Sequence, residues 1–416
     1  MKFPQKWISK IAACTAALLL GTAAAVQHYM LSLPDHFYTD ANRPPAAATL
    51  LPVTFVRSTP ALPQGGEAEL RLFGLIPVKK VSLTTVSAAE VYLGGEPFGI
   101  KMLMAGVMVI SLNSVPGLAG DVCPAKEAGI RTGDIIQAVN GQRIGSNADL
   151  QAAVESSGGS TVAVSYQRGD SLETAAVSPV FSPVTKRWQT GMWVRDSTAG
   201  IGTVTYYMRN SAGQVSFAGL GHAVCDADTG EPIPLASGDV IAVSVNDIIS
   251  GRAGEPGELR GRFEPGRSIG RLLANTPSGI FGTLDALPAE AKRIPLGFRQ
   301  DITRGEALIY TTIDGTAPQA FTAEIEEIRG NDASLRDLVI RVTDPALLEA
   351  AGGIVQGMSG SPIVQNGRMI GAVTHVFVRD PTRGYGIFAE HMYAQTAALA
   401  DAVPEEHLAA AFRPAS

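Results

Sequence analysis

Gly357-Met358-Ser359-Gly360-Ser361-Pro362 runs straight into the apolar pair Ile363-Val364, so a serine bracketed by glycines sits in a turn that opens a strand. Glycine lets the backbone take φ > 0 in such a turn, which aims the N–H groups of Gly357 and Ser359 at one point beside the Ser359 hydroxyl. Two converging N–H donors there make an oxyanion hole. An ordinary Gly/Ser β-turn has the same local composition, so the motif needs a second element. Gly219-Leu220-Gly221-His222-Ala223 supplies it, placing a histidine in a glycine-flanked turn upstream. A serine hydroxyl is inert until a base takes its proton, and His222 is the residue type that does so at neutral pH.

The chain has 416 residues, enough for two or three domains. Its 33 basic and 39 acidic residues give a net charge of −6 with no basic block, which argues against nucleic acid as the main partner. The 45 Gly and 26 Pro lie between short apolar runs, as in a β-rich protein with many turns. Cys14, Cys123 and Cys225 are the only cysteines; there is no CxxC and no HExxH, so neither metal catalysis nor any cofactor has support. Cys225, three residues after His222, reads as a small buried residue rather than a thiol nucleophile.

Residues 1–33 begin with Lys2, Lys6 and Lys10 and continue through an uncharged run from Ile11 to Val26, the pattern of an export signal. Read together with Trp7-Ile8 and Met30-Leu31 it becomes a retained membrane anchor, lysines in the cytoplasm and the rest of the chain outside. Residues 34–91 read as a linker and spacer strands: 34–65 is rich in Pro and Ala and extended, and two strands fall within 68–93. Residues 92–180 form a PDZ-like domain. Phe98-Gly99-Ile100 stands where such domains hold a carboxylate-binding loop, which makes these three the expected peptide-binding residues. A short helix ends at Gly129, a turn follows at Gly133-Asp134, Asn140-Gly141 makes a hairpin, and Ser146 caps a helix burying Leu150, Ala153 and Val154. Residues 181–416 hold repeated short β-like runs, with helices at Pro345–Ala351 and from Ala394, and with Arg252 to Arg267 as a solvated loop. The expected fold is mainly β: a membrane anchor, a PDZ-like domain, then a trypsin-like double β-barrel serine protease domain.

Several long motifs identify a family. These are Trp193-Val194-Arg195-Asp196-Ser197-Thr198-Ala199-Gly200-Ile201-Gly202, Ala218 to His222, Asp228-Thr229-Gly230 and Gly352 to Pro362. Together with Gly371 to Val378, Asp380-Pro381-Thr382 and Leu72 to Val78, they resemble the stage IV sporulation protein B (SpoIVB) peptidases over nearly the whole chain. The resemblance implies a PDZ-containing serine endopeptidase, exported between the forespore and mother-cell membranes. Members cleave themselves and then a regulatory membrane protein (SpoIVFA), which releases an intramembrane metalloprotease to process the sigma-K precursor. It also implies a triad: His222, the nucleophile Ser359, and Asp344, fifteen residues before it.

The residues by themselves agree on His222 and Ser359. Spacing alone would equally admit Asp247, Asp285 or Asp301 as the acid, because in trypsin-like barrels the acid usually shares the barrel of the histidine. Asp344 precedes Pro345 and also reads as a helix cap. Ser361 is a rival nucleophile in principle, and His375 reads as a packed residue or a fallback base. The leading function is therefore a membrane-tethered, self-processing serine endopeptidase with a protein substrate, cutting itself within 37–65. The alternative is a catalytically inactive PDZ scaffold that binds a partner terminus. A quality-control protease of the Do type would place the protease before the PDZ domain, the reverse of this order.

Overall fold

In the computed structural model, the described residues are 5–39, 49–57, 65–85, 90–118, 120–209, 213–329 and 334–402. Helix α1 (Gln5–Ser32) contains a stretch, Ala12–Ser32, long and apolar enough to cross a membrane. Its far end packs through Tyr29 onto a four-stranded sheet of β1 (His36–Thr39), β2 (Val53–Arg57), β3 (Gly65–Leu72) and β4 (Ile76–Thr85), in the order β1-β4-β3-β2. The alternation Ala68-x-Leu70-x-Leu72 builds this sheet, since all three side chains face inward and are fully buried. The stretch expected to be a linker thus contributes two strands. The remainder of the expected self-cleavage zone, 40–48 and 58–64, lies outside the described residues.

The next module runs β5 (Glu90–Leu93), β6 (Pro97–Leu112), β7 (Val115–Gly117), β8 (Gly120–Val122), α2 (Pro124–Glu127), β9 (Ile135–Val139) and β10 (Gln142–Arg143). It closes with α3 (Asn147–Ser156), β11 (Val162–Arg168) and β12 (Ser171–Val177). The turn chemistry read from the sequence is in place. Gly129 and Gly133 have φ of 87° and 91°, and the Asn140-Gly141 hairpin has φ of 49° and 80°. The Ser146 hydroxyl accepts the Asp149 N–H at 3.1 Å to start α3, which buries Leu150, Ala153 and Val154 against Val107, Val109 and Ile136.

The last part opens with β13 (Val180–Ser182), β14 (Arg187–Gln189), β15 (Met192–Arg209), β16 (Val215–Gly219), β17 (Leu235–Ile249), β18 (Glu258–Thr276), β19 (Gly279–Leu284) and β20 (Arg293–Pro295). Pairing runs β6-β17-β18-β19-β16-β15, and β15 pairs back onto β6, so the ladder returns to its first strand. The first half of β6 therefore belongs to this ring and the second half to the preceding module. That corrects the reading of Phe98, Gly99 and Ile100. They lie near the start of β6, paired to Gly200–Gly202 on one edge and Val240–Ala242 on the other, inside a sheet and not in a carboxylate-binding loop. Phe98 and Ile100 are core residues beside Phe217 and Val240, and a Cβ on Gly99 would lie 2.4 Å from the Phe263 ring. The Arg252–Arg267 loop is likewise corrected: from Glu258 it is strand, paired to β17. Its charged residues Arg260 and Arg262 lie on the exposed side and hide the buried Leu259 from a hydropathy reading.

A closed barrel has the order β21 (Gly305–Thr311), β22 (Gln319–Ile328), β23 (Leu338–Val342), β26 (Asp380–Phe388), β25 (Arg368–Phe377) and β24 (Pro362–Gln365). Alternate Ile, Val and Phe residues fill it, and helix α4 (Pro345–Ala351) covers one end through Leu347 and Ala351. Helix α5 (Ala389–Ala402) follows β26. The serine turn lies between α4 and β24 in this barrel, and the histidine turn follows β16 of the ring.

Candidate active site

The Ser359 turn is held from both the closed barrel and the ring. Within its own barrel, Met358 is fully buried, its N–H donates to Val355 O at 3.1 Å, and the Gly360 N–H donates to Val373 O at 2.8 Å. From the ring, β15 supplies three donors. The Thr203 N–H reaches Ser359 O at 2.9 Å, the Thr203 hydroxyl reaches Gly357 O at 2.8 Å, and the buried Thr205 hydroxyl reaches Gly360 O at 2.7 Å. Gly360 has φ of 95°, and a Cβ there would fall 2.0 Å from Thr203 O, so only glycine lets β15 approach this closely. Gly357 also has positive φ, 96°. Among the described residues, the N–H groups of Gly357 and Ser359 have no acceptor, while those of Met358, Gly360 and Ser361 are all used.

Leu220 and Gly221, both in the left-handed region at φ of 63° and 69°, swing the chain off β16 so that His222 follows. Gly221 lies against β25, where a Cβ would meet the Thr374 methyl at 2.9 Å. His222 Nδ1 is 2.8 Å from Ala223 O; a carbonyl only accepts, so Nδ1 carries the proton and Nε2 is left as the basic nitrogen. Burial lowers the His222 pKa, opposed by that carbonyl, and keeps the imidazole neutral. The His375 ring stands 4.7 Å away, centroid to centroid. Desolvation of the His375 ring and then the charge of His222 push its pKa down to about 4. The carbonyl of Thr374, the residue before His375, accepts the Ser359 hydroxyl at 2.7 Å. Thr374 thus touches both turns, its methyl against Gly221 and its carbonyl on the Ser359 hydroxyl, and Ser359 makes no hydrogen bond to His222.

Asp344 has other partners. It is the N-cap of α4: one oxygen accepts the N–H groups of Ala346 and Leu347 at 3.0 and 3.3 Å, and the other accepts that of Thr322 at 3.1 Å. These backbone donors, Thr322 first, hold its pKa below the usual value. Among the described residues no carboxylate bonds His222. Asp247 accepts the N–H of Ile248 and Asp301 that of Phe298, while the Asp285 N–H donates to Ile269. Ser361 is fully buried with no partner for its hydroxyl among the described residues, which leaves Ser359 as the presented serine. Cys225, read as buried, is exposed; desolvation and then Glu231 raise its pKa, which favours the unreactive thiol.

The sequence reading missed the brace on the histidine turn. Asp226 has a fully buried carboxylate, paired to Arg195 of β15, and its other oxygen accepts the N–H groups of Asp228 and Thr229, both at 3.0 Å. Burial alone would raise the Asp226 pKa; these N–H groups and then Arg195 outweigh it and lower it. Arg195 also holds Asp228 at 2.7 Å. Arg195 falls inside the motif Trp193–Gly202 and Asp226 lies just ahead of Asp228–Gly230, but their pairing across 31 residues has no local signal.

A glycine-bracketed serine with two unused N–H groups, set beside a neutral histidine and preceded by a PDZ module, defines a serine peptidase. The chain belongs to the SpoIVB peptidase S55 family, whose profile matches residues 186–393, and a PDZ domain profile matches residues 98–178. No curated protein matches it. Among solved structures, the PDZ domain of the SdrC-like protein from Listeria monocytogenes is 24% identical, covering 22% of this chain and 87% of its own at a TM-score of 0.18. The inactive form of a serine-to-alanine mutant of Rv3671c from M. tuberculosis H37Rv is 16% identical, covering 49% of this chain and 83% of its own at a TM-score of 0.26.

The two roles of Asp344 separate in an isosteric change. Asn caps a helix as well as Asp, so Asp344→Asn is expected to keep near-normal peptidase turnover, while Asp344→Ala costs about 1 kcal/mol of stability in thermal melts. A drop of roughly 10⁴-fold for the Asn variant would instead place Asp344 in a triad. A second expectation concerns pH. Because the His222 pKa is lowered and the neutral form is the base, kcat/KM measured against pH should rise along an acid limb centred below 6.5. A limb centred above that value would contradict the assignment.

Proposed function

We propose that the chain is a membrane-anchored serine endopeptidase that first cuts itself and then a regulatory membrane protein of the SpoIVFA kind. That second cut lies in the space between forespore and mother-cell membranes and starts sigma-K precursor processing. The observation that carries the peptidase chemistry is the clamp of Thr203 and Thr205 on the Ser359 turn. It fixes the serine of one barrel against the ring that carries His222. A trypsin-like double barrel fits this arrangement, the ring β6-β17-β18-β19-β16-β15 being the first barrel and β21 to β26 the second. Helix α1 is the anchor, with the lysines of residues 1–10 on the cytoplasmic side.

In this reading the Ser359 hydroxyl rotates from the Thr374 carbonyl to His222 Nε2 when substrate enters. His222 takes the proton as Oγ attacks the scissile carbonyl, and the oxyanion is received by the N–H groups of Gly357 and Ser359. The protonated His222 then gives its proton to the leaving amine, and water releases the acyl group by the same route. The Ala223 carbonyl orients the imidazole through Nδ1, and Asp344 serves the site by starting the helix that leads to the serine turn.

Intact mass of the full chain in detergent, followed over time, checks the self-processing. Wild type is expected to shorten from its N-terminal side between 37 and 65, and Ser359→Ala to stay whole. Equal shortening of both would assign the cut to another protease, and two stable chains would remove self-processing from the account.

A further inference from the structure

The PDZ groove is already occupied, by the chain itself. The second half of β6 pairs with β9 on one edge, through Val107 and Met108. Its other edge, where a PDZ domain adds a peptide strand, carries Met192–Arg195 of β15: Met192 faces Leu112, Trp193 faces Ser111, Val194 faces Val109 and Arg195 faces Met108, all antiparallel. Alternate side chains behave as a bound ligand's do. Met192 and Val194, with Trp188 before them, pack against the PDZ core. Helix α3 grips both ends of the segment: the Asn147 N–H at its start donates to the Asp196 carboxylate at 3.0 Å, and Glu155 near its end accepts the Trp188 N–H at 3.0 Å. The N–H groups of Asn113 and Ala125 bind Gly191 O and Thr190 O at 2.8 and 2.9 Å.

We propose that residues 187–196 are an internal, displaceable ligand of the PDZ groove, and that an extended peptide of the same pattern competes for the site. That pattern is apolar, any, apolar, any, acidic, after Met192, Val194 and Asp196. Two features make the segment exchangeable rather than fused to the ring. The β6–β15 ladder breaks at bulges after Trp193 and after Arg195, so Met192–Arg195 can peel away while Ser197–Thr203 stays paired. A cavity of 440 Å³ lies between α3 and the segment, lined by Leu150, Gln151, Val154 and Val115 among others, and gives an incoming chain a foothold. Displacement has a consequence at the active site, a part that rests on the proposed function. Arg195 leaves with the segment, and the buried Asp226 that braces the His222 turn loses its partner.

The test uses the full chain in detergent, carrying Ser359→Ala so that the probe is not cut, and Cys14→Ser and Cys225→Ser to avoid stray disulfides. The probe is a fluorescein-labelled synthetic peptide of residues 187–196, followed by anisotropy. Ser111→Cys with Trp193→Cys places two thiols directly opposite on antiparallel strands, within disulfide reach. The reduced chain is expected to bind the probe, and the oxidised chain at least roughly tenfold more weakly. Val194→Thr with Asp196→Asn, which loosens the internal segment, should bind roughly tenfold more tightly than the chain without it. Equal affinity of oxidised and reduced chains, or no binding by either, overturns the proposal; this comparison is internal to one molecule, so misfolding of the loosened variant does not blur it. The coupling is read separately, as the self-cleavage rate of the Ser359-bearing chain with and without probe. Probe binding with an unchanged rate of active enzyme overturns the Arg195 link alone, while an enzyme with no self-cleavage at all counts against the proposed function and leaves the groove assignment standing.

Discussion

Two threonines on one strand decide how the ring meets the closed barrel. Thr203 and Thr205 of β15 reach across to the carbonyls of Gly357 and Gly360, and the Thr203 N–H takes that of Ser359. The Thr205–Gly360 bond is fully buried, so removing the hydroxyl would strand a carbonyl away from water at a cost of about 1–3 kcal/mol. With the carbonyls of Gly357, Ser359 and Gly360 engaged from behind, the N–H groups of Gly357 and Ser359 are the ones left to face a substrate. The close approach needs Gly360, and the same strand, through Arg195, braces the turn that carries His222. One strand therefore sets both halves of the proposed catalytic pair.

The arrangement also accounts for the absence of a carboxylate behind His222 among the described residues. A backbone carbonyl at 2.8 Å selects the Nδ1–H tautomer and fixes the ring plane, which is the orienting part of an acid's task. It does not supply a full negative charge to stabilise the imidazolium, and the histidine pKa is lowered, chiefly by burial. The acidic charge nearest in sequence, Asp226, is spent on Arg195 and on the turn's own N–H groups.

Much of this was legible in the sequence because it rests on local chemistry. The glycine-bracketed Ser359, the Leu220-Gly221 turn before His222, the Ser146 cap and the helix at Pro345–Ala351 are each specified by residues within a few positions of one another. The misreadings come from long-range pairing. Phe98-Gly99-Ile100 has the composition of a ligand loop, yet strands far along the chain claim both of its edges. Glu258 to Arg267 reads as solvated because its outward charges are conspicuous and its inward face is sparse. Asp344 is a cap by its place before Pro345 and an acid by the family resemblance, and only the positions of Thr322, Ala346 and Leu347 show which groups its oxygens hold. Nothing in the sequence pairs Met192–Arg195 with the far edge of β6.

The central claim is that His222 activates Ser359 without Asp344 acting as a triad acid. Labelling of the full chain with a serine-directed fluorophosphonate, mapped by peptide mass, tests it most directly. The account predicts a single label on Ser359, abolished in His222→Ala and retained at a near wild-type rate in Asp344→Asn. A label on another residue, labelling of Ser359 that persists without His222, or its loss in Asp344→Asn would contradict it.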